Sequence, residues 1–363
     1  MQQHQILESG TLLDGQGSLR EPGWATSLML QYDRTAIRAP ALSIKEWDYY
    51  CVSNGRRVLA FTIADNAYLG MLSVSLIDLE QGWQISQTLM NAFPMGRTGL
   101  PASSARGLSR IGIKDAVLQV DSLGNGRRQL QARLPSFGKG SWGLSGIQRL
   151  GRAEDLLGGI GLEVDIQLAE QPQGESMVIA TPFAAAPRAF YYNQKINCQT
   201  AAGSFRAGQR SEQLNPADDM AVLDWGRGVW TYSNTWYWAS ASHFLGPQRI
   251  PFGFNLGTGF GDTSAASENM IFYGGKAHKF GYVHFDLNHN DFMQPWRVHS
   301  DNGRFDLTMT PQLDRAAETN LLLLASLQHQ VFGRWSGYAL LDDGTRLEVR
   351  DFPGFAEKVV NRW

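Results

Sequence analysis

Cysteine and charge are both scarce in this sequence, and each shortage excludes a class of protein. Cys51 and Cys198 are its two cysteines, and their wide separation matches no metal-ligand spacing, so we expect buried free thiols rather than a disulfide. Charged residues make up 18% of the chain, and the formal net charge is -2. No stretch collects the lysines and arginines that binding to phosphate groups requires, so nucleic acid is not an expected partner.

Long hydrophobic runs are absent as well. No window approaches about 18 uninterrupted apolar residues, the length that a membrane-spanning helix needs. Residues 1–10 are polar and lack the basic segment and apolar run of a signal peptide. We therefore expect a soluble, cytoplasmic protein without an integral membrane segment.

Glycine and aromatic residues are abundant instead. The 363 residues include 39 glycines and 11 tryptophans, and 43% of the chain is hydrophobic. A chain of this size and composition can bury sizeable cores without metals or disulfides. The mixture favours many short strands joined by tight turns over helices. We therefore predict an all-β protein.

The two halves of the chain resemble each other, which indicates an internal duplication. Trp47 opens an aromatic segment in the first half, and Trp236 opens a similar segment in the second half. Glycine-containing segments that end at Gly70 and Gly261 follow them in the same order. We expect Trp47 and Trp236 to occupy equivalent positions.

The duplication predicts two domains, residues 1–228 and residues 229–363. The first copy is the longer one, and its excess falls between residues 95 and 160. This region includes the Gly/Ser-rich run 136–143, which we expect to form a long loop or lid over one barrel mouth.

Period-two alternation and short apolar runs predict strands along most of the chain. Clear examples are the segments 116–120, 161–166, 339–341 and 345–349. The clearest helical patterns are short and lie at 147–155 and 217–223. Because a long antiparallel meander removes its edges by closing, we predict two closed or nearly closed antiparallel barrels.

Several segments carry a resemblance to a known family. They are 191–193, 195–198, 224–230, 234–242, 253–257, 259–266, 268–269 and 354–363. Together they resemble the bacterial family catalogued as domain of unknown function 2804, over nearly the whole chain. More distantly, the tandem barrels and the Trp-Gly-Arg element are similar to the lipocalin-like architecture of tocopherol cyclases and carotenoid hydratases. That resemblance implies a hydrophobic ligand and acid-base chemistry on carbon without a cofactor.

The segment 261–269 differs from its counterpart in the first half at two positions that matter for chemistry. Asp262 and Glu268 stand where the first copy has Met71 and Ile77. On a strand, the polar residues of this segment would lie on both faces, so some of them would point inward. We therefore expect the ligand site in the second barrel rather than the first.

Asp262 and Glu268 are the candidate catalytic residues. At about 3.3 Å per residue they would stand roughly 20 Å apart, too far to act as a pair, so each needs a partner from another strand. A carboxyl group that burial keeps protonated can act as a general acid. The alternative is that both groups only satisfy turns and backbone groups at the barrel end.

The candidate ligand-binding residues carry hydrogen-bonding or aromatic side chains. They are Tyr192, Asn193, Lys195, Trp236, Trp238, Asn255 and Asn269. Trp236 and Trp238 share one strand face, where core packing and an aromatic ligand cavity are both possible interpretations. If the two barrels pack side by side, the segment 191–195 and the mouth of the second barrel would line one cleft between them.

Arg227 is better explained by structure than by catalysis. Stacked on Trp225 or paired with Asp224, it would close the bottom of the first barrel. The histidines of the second half form no helical pair beside a carboxylate, so we expect no metal site. They include His278, His284, His289, His299 and His329.

Two functions from different classes remain open. The first is a cofactor-free isomerase, cyclase or hydratase for an apolar unsaturated substrate, in which Asp262 or Glu268 is the general acid and Tyr192 or Asn255 positions the ligand. The second is a non-catalytic carrier of a lipid, isoprenoid or pigment. A raised carboxyl pKa inside a cavity favours the enzyme, whereas an interior of apolar and hydroxyl groups alone favours the carrier.

Overall fold

The computed structural model describes residues 3–139, 153–321 and 324–362, and most of their regular structure is β-strand, as the sequence predicts. The first part contains β1 (Gly10–Thr11), β2 (Gly23–Ala25), β3 (Leu30–Gln31), β4 (Ile44–Ser53), β5 (Arg57–Asp65), β6 (Leu69–Asp78), β7 (Trp83–Ala92), β8 (Arg106–Ile113), β9 (Ala116–Gly124), β10 (Arg127–Leu134), β11 (Leu162–Ala169), β12 (Met177–Pro182), β13 (Phe190–Ala207), β14 (Arg210–Leu214) and β15 (Met220–Val229). The second part contains β16 (Ser233–Leu245), β17 (Ile250–Thr258), β18 (Met270–Tyr273), β19 (Lys276–Lys279), β20 (Val283–Asp286), β21 (Trp296–Ser300), β22 (Phe305–Leu321), β23 (Leu324–Leu340) and β24 (Arg346–Arg362). The described helical pieces are α1 (Ala153–Leu157) and the 3-10 turns Arg34–Ala36 and Ala41–Ser43.

Two large antiparallel sheets contain most of these strands. The first runs in the order β7-β6-β5-β4-β15-β13-β11-β10-β9-β8, and β2, β12 and β14 attach beside β13. The second runs in the order β19-β18-β17-β16-β24-β23-β22-β21-β20. The terminal strands β7 and β8 of the first sheet lie against each other, so this sheet curls into a near-barrel. The fold is therefore a tandem of near-barrel, lipocalin-like antiparallel sheets.

The two sheets repeat one order of strands. The meander β4 to β7 corresponds to β16 to β19, and β15 and β13 correspond to β24 and β23. Trp47 is the fourth residue of β4, and Trp236 is the fourth residue of β16. The first sheet ends at Val229 and the second begins at Ser233. The division into domains 1–228 and 229–363 stays a prediction.

Several local expectations are wrong. The segment 261–269 is a loop between β17 and β18 and not a strand. The segment 217–223 is not a helix, because Asn215 caps a turn there and β15 then begins at Met220. Much of the region 95–160 forms strands β8 to β10, which extend the first sheet, rather than a long loop.

Other expectations about this region are only partly covered by the structure. Of the predicted helix 147–155, the structure describes residues 153–155, which belong to α1; residues 147–152 lie outside the described residues. Residues 140–143 of the glycine-rich run also lie outside them. Cys51 and Cys198 are buried free thiols, as expected.

The interior of the first sheet contains buried charge. Arg227 is fully buried, and its guanidinium stacks on Trp225, 4.4 Å from the ring centroid, as the sequence predicts. The guanidinium also donates to Asp48 Oδ1 at 3.0 Å and to the carbonyl oxygen of Pro101 at 2.8 Å. Its ion-pair partner is thus Asp48 and not Asp224, because Asp224 points to the other face of β15.

The fully buried core of the second sheet is apolar. Its fully buried side chains include Phe254, Trp296, Phe305 and Trp335. The expectation that the second barrel has the more polar interior is therefore wrong. That expectation aligned the segment 261–269 with strand β6. The segment is a loop, and the side chains of a loop do not alternate between two faces as those of a strand do.

The two sheets pack against each other through their outer faces. An apolar cluster at this boundary contains Tyr49 and Cys51 from the first sheet and Trp238 and Phe355 from the second. The hydroxyl of Tyr49 donates across the boundary to Gln330 Oε1 at 3.2 Å. Four strands are therefore covered on both faces: β4, β15, β16 and β24. The boundary between the sheets is buried in the same way as the interior of each sheet.

Replacing Arg227 by alanine would leave the buried Asp48 carboxylate without its cation. We expect the free energy of unfolding to fall by roughly 3–5 kcal/mol, the usual cost of stranding one partner of a buried ion pair. Urea unfolding monitored by tryptophan fluorescence measures this change.

The matched control is Arg206→Ala. Arg206 forms an exposed ion pair with Glu163, with side chains 57% and 55% exposed, and its loss should cost about 1 kcal/mol or less. Equal losses in the two variants would contradict the structural role of Arg227.

Candidate functional site

The boundary between the sheets gathers polar side chains through the alternation of strand residues. In β13, Tyr191, Asn193 and Lys195 share the outer face of the first sheet, whereas Tyr192 points into that sheet's interior. In the second sheet, Trp236 shares one face of β16 with Trp238. These two outer faces meet, so Asn193, Lys195 and the two tryptophans come together at the boundary between the sheets.

Lys195 is the buried cation of this boundary. Only 3% of the residue is exposed, and its Nζ lies 2.7 Å from Asp224 Oδ2 and 3.9 Å from the ring centroid of Trp238. Asn193 Nδ2 donates to the other carboxylate oxygen, Asp224 Oδ1, at 2.6 Å. The lysine and its carboxylate belong to the first sheet, and the ring that covers the cation belongs to the second.

Glu268 enters the same boundary from the loop 261–269. Trp238 Nε1 donates to Asn255 Oδ1 at 2.7 Å, and Asn255 Nδ2 donates to the carbonyl oxygen of Glu268 at 2.8 Å and to its Oε2 at 3.3 Å. The carboxyl lies over Gly257, where a Cβ atom would come within 2.2 Å of Glu268 Oε1. Glycine at this position leaves the room that the carboxyl occupies.

The environment of Glu268 raises the pKa of its carboxyl. Glu268 keeps some solvent exposure, yet burial of its carboxyl is the main cause that raises its pKa. The positive charge of Lys195 and the hydrogen bond from Asn255 oppose this rise, and the negative charge of Asp224 adds to it. Among the described residues, none donates a hydrogen bond to Glu268 Oε1. This oxygen is therefore free to bind a ligand.

Glu357 is a second carboxyl with a raised pKa. Burial is the main cause, and hydrogen bonds to the carboxylate oppose it. Its Oε1 accepts from Trp236 Nε1 at 3.1 Å, and its Oε2 accepts from Gln328 Nε2 at 2.8 Å and from Gln330 Nε2 at 3.3 Å. Because these bonds occupy both oxygens, Glu357 fits a structural role better than Glu268 does.

Aromatic rings from both sheets surround the loop residue Phe260. Its ring lies 4.8 Å from Tyr191, 4.8 Å from Trp230 and 5.3 Å from Trp236, measured between centroids. Trp47 joins this group, stacked on Tyr191 at 6.1 Å. We call these five residues the aromatic cluster. Phe260 fills its centre.

Tyr191 connects the aromatic cluster with the carboxyl groups. Burial raises the pKa of its hydroxyl well above 10, and the negative charge of Glu268 raises it further. Tyr191 is therefore a neutral hydrogen-bond donor near Glu268. No hydrogen bond to its hydroxyl is made by any residue of the described ranges.

The other predicted site residues lie elsewhere. Asp262 accepts a hydrogen bond from the Ser264 N–H at 3.0 Å, which lowers its pKa, so it does not fit the expected role of a protonated acid. Tyr192 donates to the carbonyl oxygen of Leu30 inside the first sheet. The side chain of Asn269 accepts a hydrogen bond from the Gly257 N–H, so it holds backbone beside the loop in place.

The boundary also contains residues that the sequence analysis did not select as ligand or catalytic groups. Tyr191 and Phe260 are the clearest, and Asp224 is the partner that holds Lys195. The alternation of Tyr191 with Asn193 and Lys195 along one strand could have indicated Tyr191. No sequence signal places Phe260 or Asp224 beside them, because their positions depend on loop conformation and strand register.

Two kinds of feature are absent from the part of the chain that the structure describes. No three histidine, cysteine, aspartate or glutamate side chains come together as metal ligands. No described helix has the length and hydropathy that crossing a bilayer requires. Cavities of about 40 and 10 Å³ lie among the described residues, and neither is lined by Glu268, Lys195 or the aromatic cluster.

Glu268→Gln should stabilise the protein at neutral and higher pH. A carboxyl whose folded-state pKa is raised loses stability as pH rises from its ordinary pKa of 4.5 through the folded-state pKa. We expect wild type and variant to be equally stable near pH 4, and the variant to gain on the order of 1 kcal/mol near pH 8. Urea unfolding across this pH range measures the difference.

Asp224→Asn is the control that separates this effect from the loss of an ion pair. It removes the partner of the buried Lys195 and should cost roughly 3–5 kcal/mol. If Glu268→Gln cost as much as Asp224→Asn near pH 8, Glu268 would be a structural partner of Lys195 and not a free acid.

Comparisons with solved structures find distant similarity along the chain. AttH from Nitrosomonas europaea is 13% identical to this chain. The match covers 87% of this chain and 92% of that protein, with a TM-score of 0.47. CghA has 10% identity over 98% of this chain and 97% of its own, with a TM-score of 0.48. Kievitone hydratase from Nectria haematococca has 9% identity over 97% of both chains, with a TM-score of 0.43. These similarities are too distant to assign an activity.

Sequence comparison identifies the family directly. No curated protein matches the chain. The model of one family matches residues 3–363, which is nearly the whole sequence. The chain therefore belongs to the family described as domain of unknown function, DUF2804.

Proposed function

We propose that the boundary between the two sheets binds an apolar, unsaturated small molecule and that Glu268 protonates it as a general acid. The observation that carries the proposal is the Glu268 carboxyl itself. Burial raises its pKa, Oε1 accepts no hydrogen bond from the described residues, and the aromatic cluster lies next to it. A protonated acid beside aromatic rings can transfer a proton to a carbon–carbon double bond in a site of low polarity.

The neighbours of Glu268 fit the charge changes of such a reaction. Proton transfer from Oε1 to the substrate leaves a carboxylate, which the Lys195 charge and the Asn255 amide stabilise. The positive charge that develops on the substrate faces aromatic rings, whose electron-rich faces attract cations. Tyr191 can donate a hydrogen bond to an oxygen atom of the substrate.

Proton balance allows three related outcomes. In an isomerisation or a cyclisation, the substrate cation loses a proton from a different carbon, and the Glu268 carboxylate accepts it. In a hydration, water adds to the cation and its surplus proton returns to the carboxylate. Each cycle restores the protonated acid without a cofactor, so the proposal covers an isomerase, a cyclase or a hydratase.

The site must open before a ligand of ordinary size can enter. Such ligands occupy pockets of about 300 Å³ or more, and Phe260 fills the centre of the aromatic cluster. Phe260 and Glu268 belong to one loop, so a movement of this loop would uncover the rings and reposition the acid together. The substrate thus takes the place of the Phe260 ring.

Phe260→Ala should create a vacant apolar site for a neutral probe. We expect N-phenyl-1-naphthylamine to bind this variant about tenfold more tightly than wild type, because the probe no longer has to displace a ring. Quenching of tryptophan emission and enhancement of probe emission measure the binding.

Phe252→Ala is the matched control, since Phe252 is fully buried in the apolar core of the second sheet. An equal gain in probe affinity for this variant would show that any new cavity suffices. No gain for Phe260→Ala would count against a ligand site in the aromatic cluster.

Glu268→Gln should retain ligand binding and lose proton transfer. Small molecules that co-purify with the protein are identified by mass spectrometry, and the protein is then incubated with them in D₂O. Wild type should incorporate deuterium into the ligand, and the variant should do so at least about 100-fold more slowly. Asp262→Asn should behave as wild type because Asp262 lies in an exposed turn.

A carrier without catalysis is the alternative that this experiment decides. Binding by wild type without deuterium incorporation would identify a carrier, in which Glu268 and Tyr191 only hold a polar group of the ligand. Equal incorporation by wild type and Glu268→Gln would assign the acid to a different residue.

A further inference from the structure

The inner face of the second sheet has its own row of functional side chains. Tyr237, Lys358 and His329 are direct partners on the adjacent strands β16, β24 and β23. They alternate with Trp238, Glu357 and Gln330, which face the boundary between the sheets. The row therefore lies on the opposite face of the same strands from the proposed acid site.

Lys358 in the middle of this row has no carboxylate partner among the described residues. Its Nζ donates to His289 Nδ1 at 3.2 Å, so that ring nitrogen acts as an acceptor there. The rings of Phe292 and Tyr237 lie 5.8 and 6.0 Å from the ammonium group. Lys358 is partly exposed and its contact with His289 is open to solvent, so the ammonium group is accessible to a ligand and has no fixed counter-charge among the described residues.

His329 is held in place beside this lysine. Its Nδ1 lies 2.7 Å from Asp314 Oδ2, and its ring stacks on Phe292 with 3.9 Å between centroids. The Asp314 bond places the imidazole proton on Nδ1, which leaves Nε2 of the neutral ring as a hydrogen-bond acceptor. Trp296 Nε1 donates to the carbonyl oxygen of Phe292 at 2.9 Å and anchors the segment that covers the row.

We propose that this row is a second binding site, specific for a small organic anion with a carboxylate or phosphate headgroup on an apolar chain. Lys358 supplies the charge, the Tyr237 hydroxyl donates a hydrogen bond to a headgroup oxygen, and the His329 ring lines the site. The rings of Phe292 and Phe285 contact the apolar chain; Phe285 lies 5.6 Å from Tyr237 between centroids. An anion here supplies the counter-charge that Lys358 lacks.

The charges of the row favour an anion over a metal cation. Lys358 is cationic, and Asp314 already accepts from His329, so a metal ion would meet a repelling charge and a carboxylate that is in use. The aromatic walls also favour an anion that has an apolar part over a fully hydrated ion.

Titration of the full-length protein with octanoate tests the proposal. The probe should shift the NMR signals of His289 and His329 in a saturable way, and the variants His289→Gln and His329→Gln assign these signals. Lys358→Met removes the charge and retains an unbranched apolar side chain, and it should raise the Kd for octanoate by at least about tenfold.

Two control variants locate the effect. Lys276→Met removes an exposed lysine of β19, and Glu268→Gln changes the proposed acid on the other face of the sheet; both should leave the Kd within about twofold of wild type. Because the second variant leaves anion binding intact, failure of the acid site and failure of this site are distinguishable.

The choice of probes decides the chemistry of the ligand. Tighter binding of octanoate assigns a carboxylate, and tighter binding of octyl phosphate assigns a phosphate ester. Equal affinity for 1-octanol, or equal affinity for inorganic phosphate or acetate, would overturn the proposal by showing that either the charge or the chain is not recognised. Absence of a saturable shift, or an unchanged Kd in Lys358→Met, would also overturn it.

Discussion

The ion pair of Lys195 and Asp224 is the interaction on which the boundary between the sheets depends. A lysine that is almost completely buried is tolerated only with a partner, and Asp224 at 2.7 Å provides it. Both residues belong to the first sheet, whereas the ring over the ammonium group belongs to Trp238 of the second. The two charges of the pair therefore balance each other, and the ammonium group is a fixed surface against which Trp238 of the second sheet packs.

This pairing explains why other carboxyl groups nearby favour protonation. Asp224 is the ion-pair partner of Lys195. The lysine charge therefore lowers the pKa of Glu268 and of Glu357 only in part, whereas burial raises both pKa values. Glu357 accepts hydrogen bonds from Trp236 and Gln328, whereas among the described residues the Glu268 carboxyl accepts a hydrogen bond of 3.3 Å from Asn255. The two carboxyl groups thus differ in how fully the described residues hydrogen-bond their oxygens.

Two glycines allow large groups to lie flat against the strands of the boundary. A Cβ atom on Gly226 would come within 2.0 Å of the Trp47 ring, and one on Gly257 would come within 2.2 Å of the Glu268 carboxyl. Each glycine has no side chain at the point where a large group, the Trp47 ring or the Glu268 carboxyl, crosses its strand. The two glycines therefore make the room in which the Trp47 ring and the Glu268 carboxyl lie.

The sequence determined the all-β architecture, the repeated order of strands and many of the residues of the site. Glycine content and period-two patterns express local backbone preferences, and Lys195, Trp238, Asn255 and Glu268 stand out by their side-chain chemistry. Only the tertiary structure decided that a fully buried charge such as Arg227 lies inside the first sheet and that the residues of the candidate site meet between the sheets. Packing of two outer faces, strand register and the loop 261–269 depend on contacts between residues far apart in the chain, which no local pattern encodes.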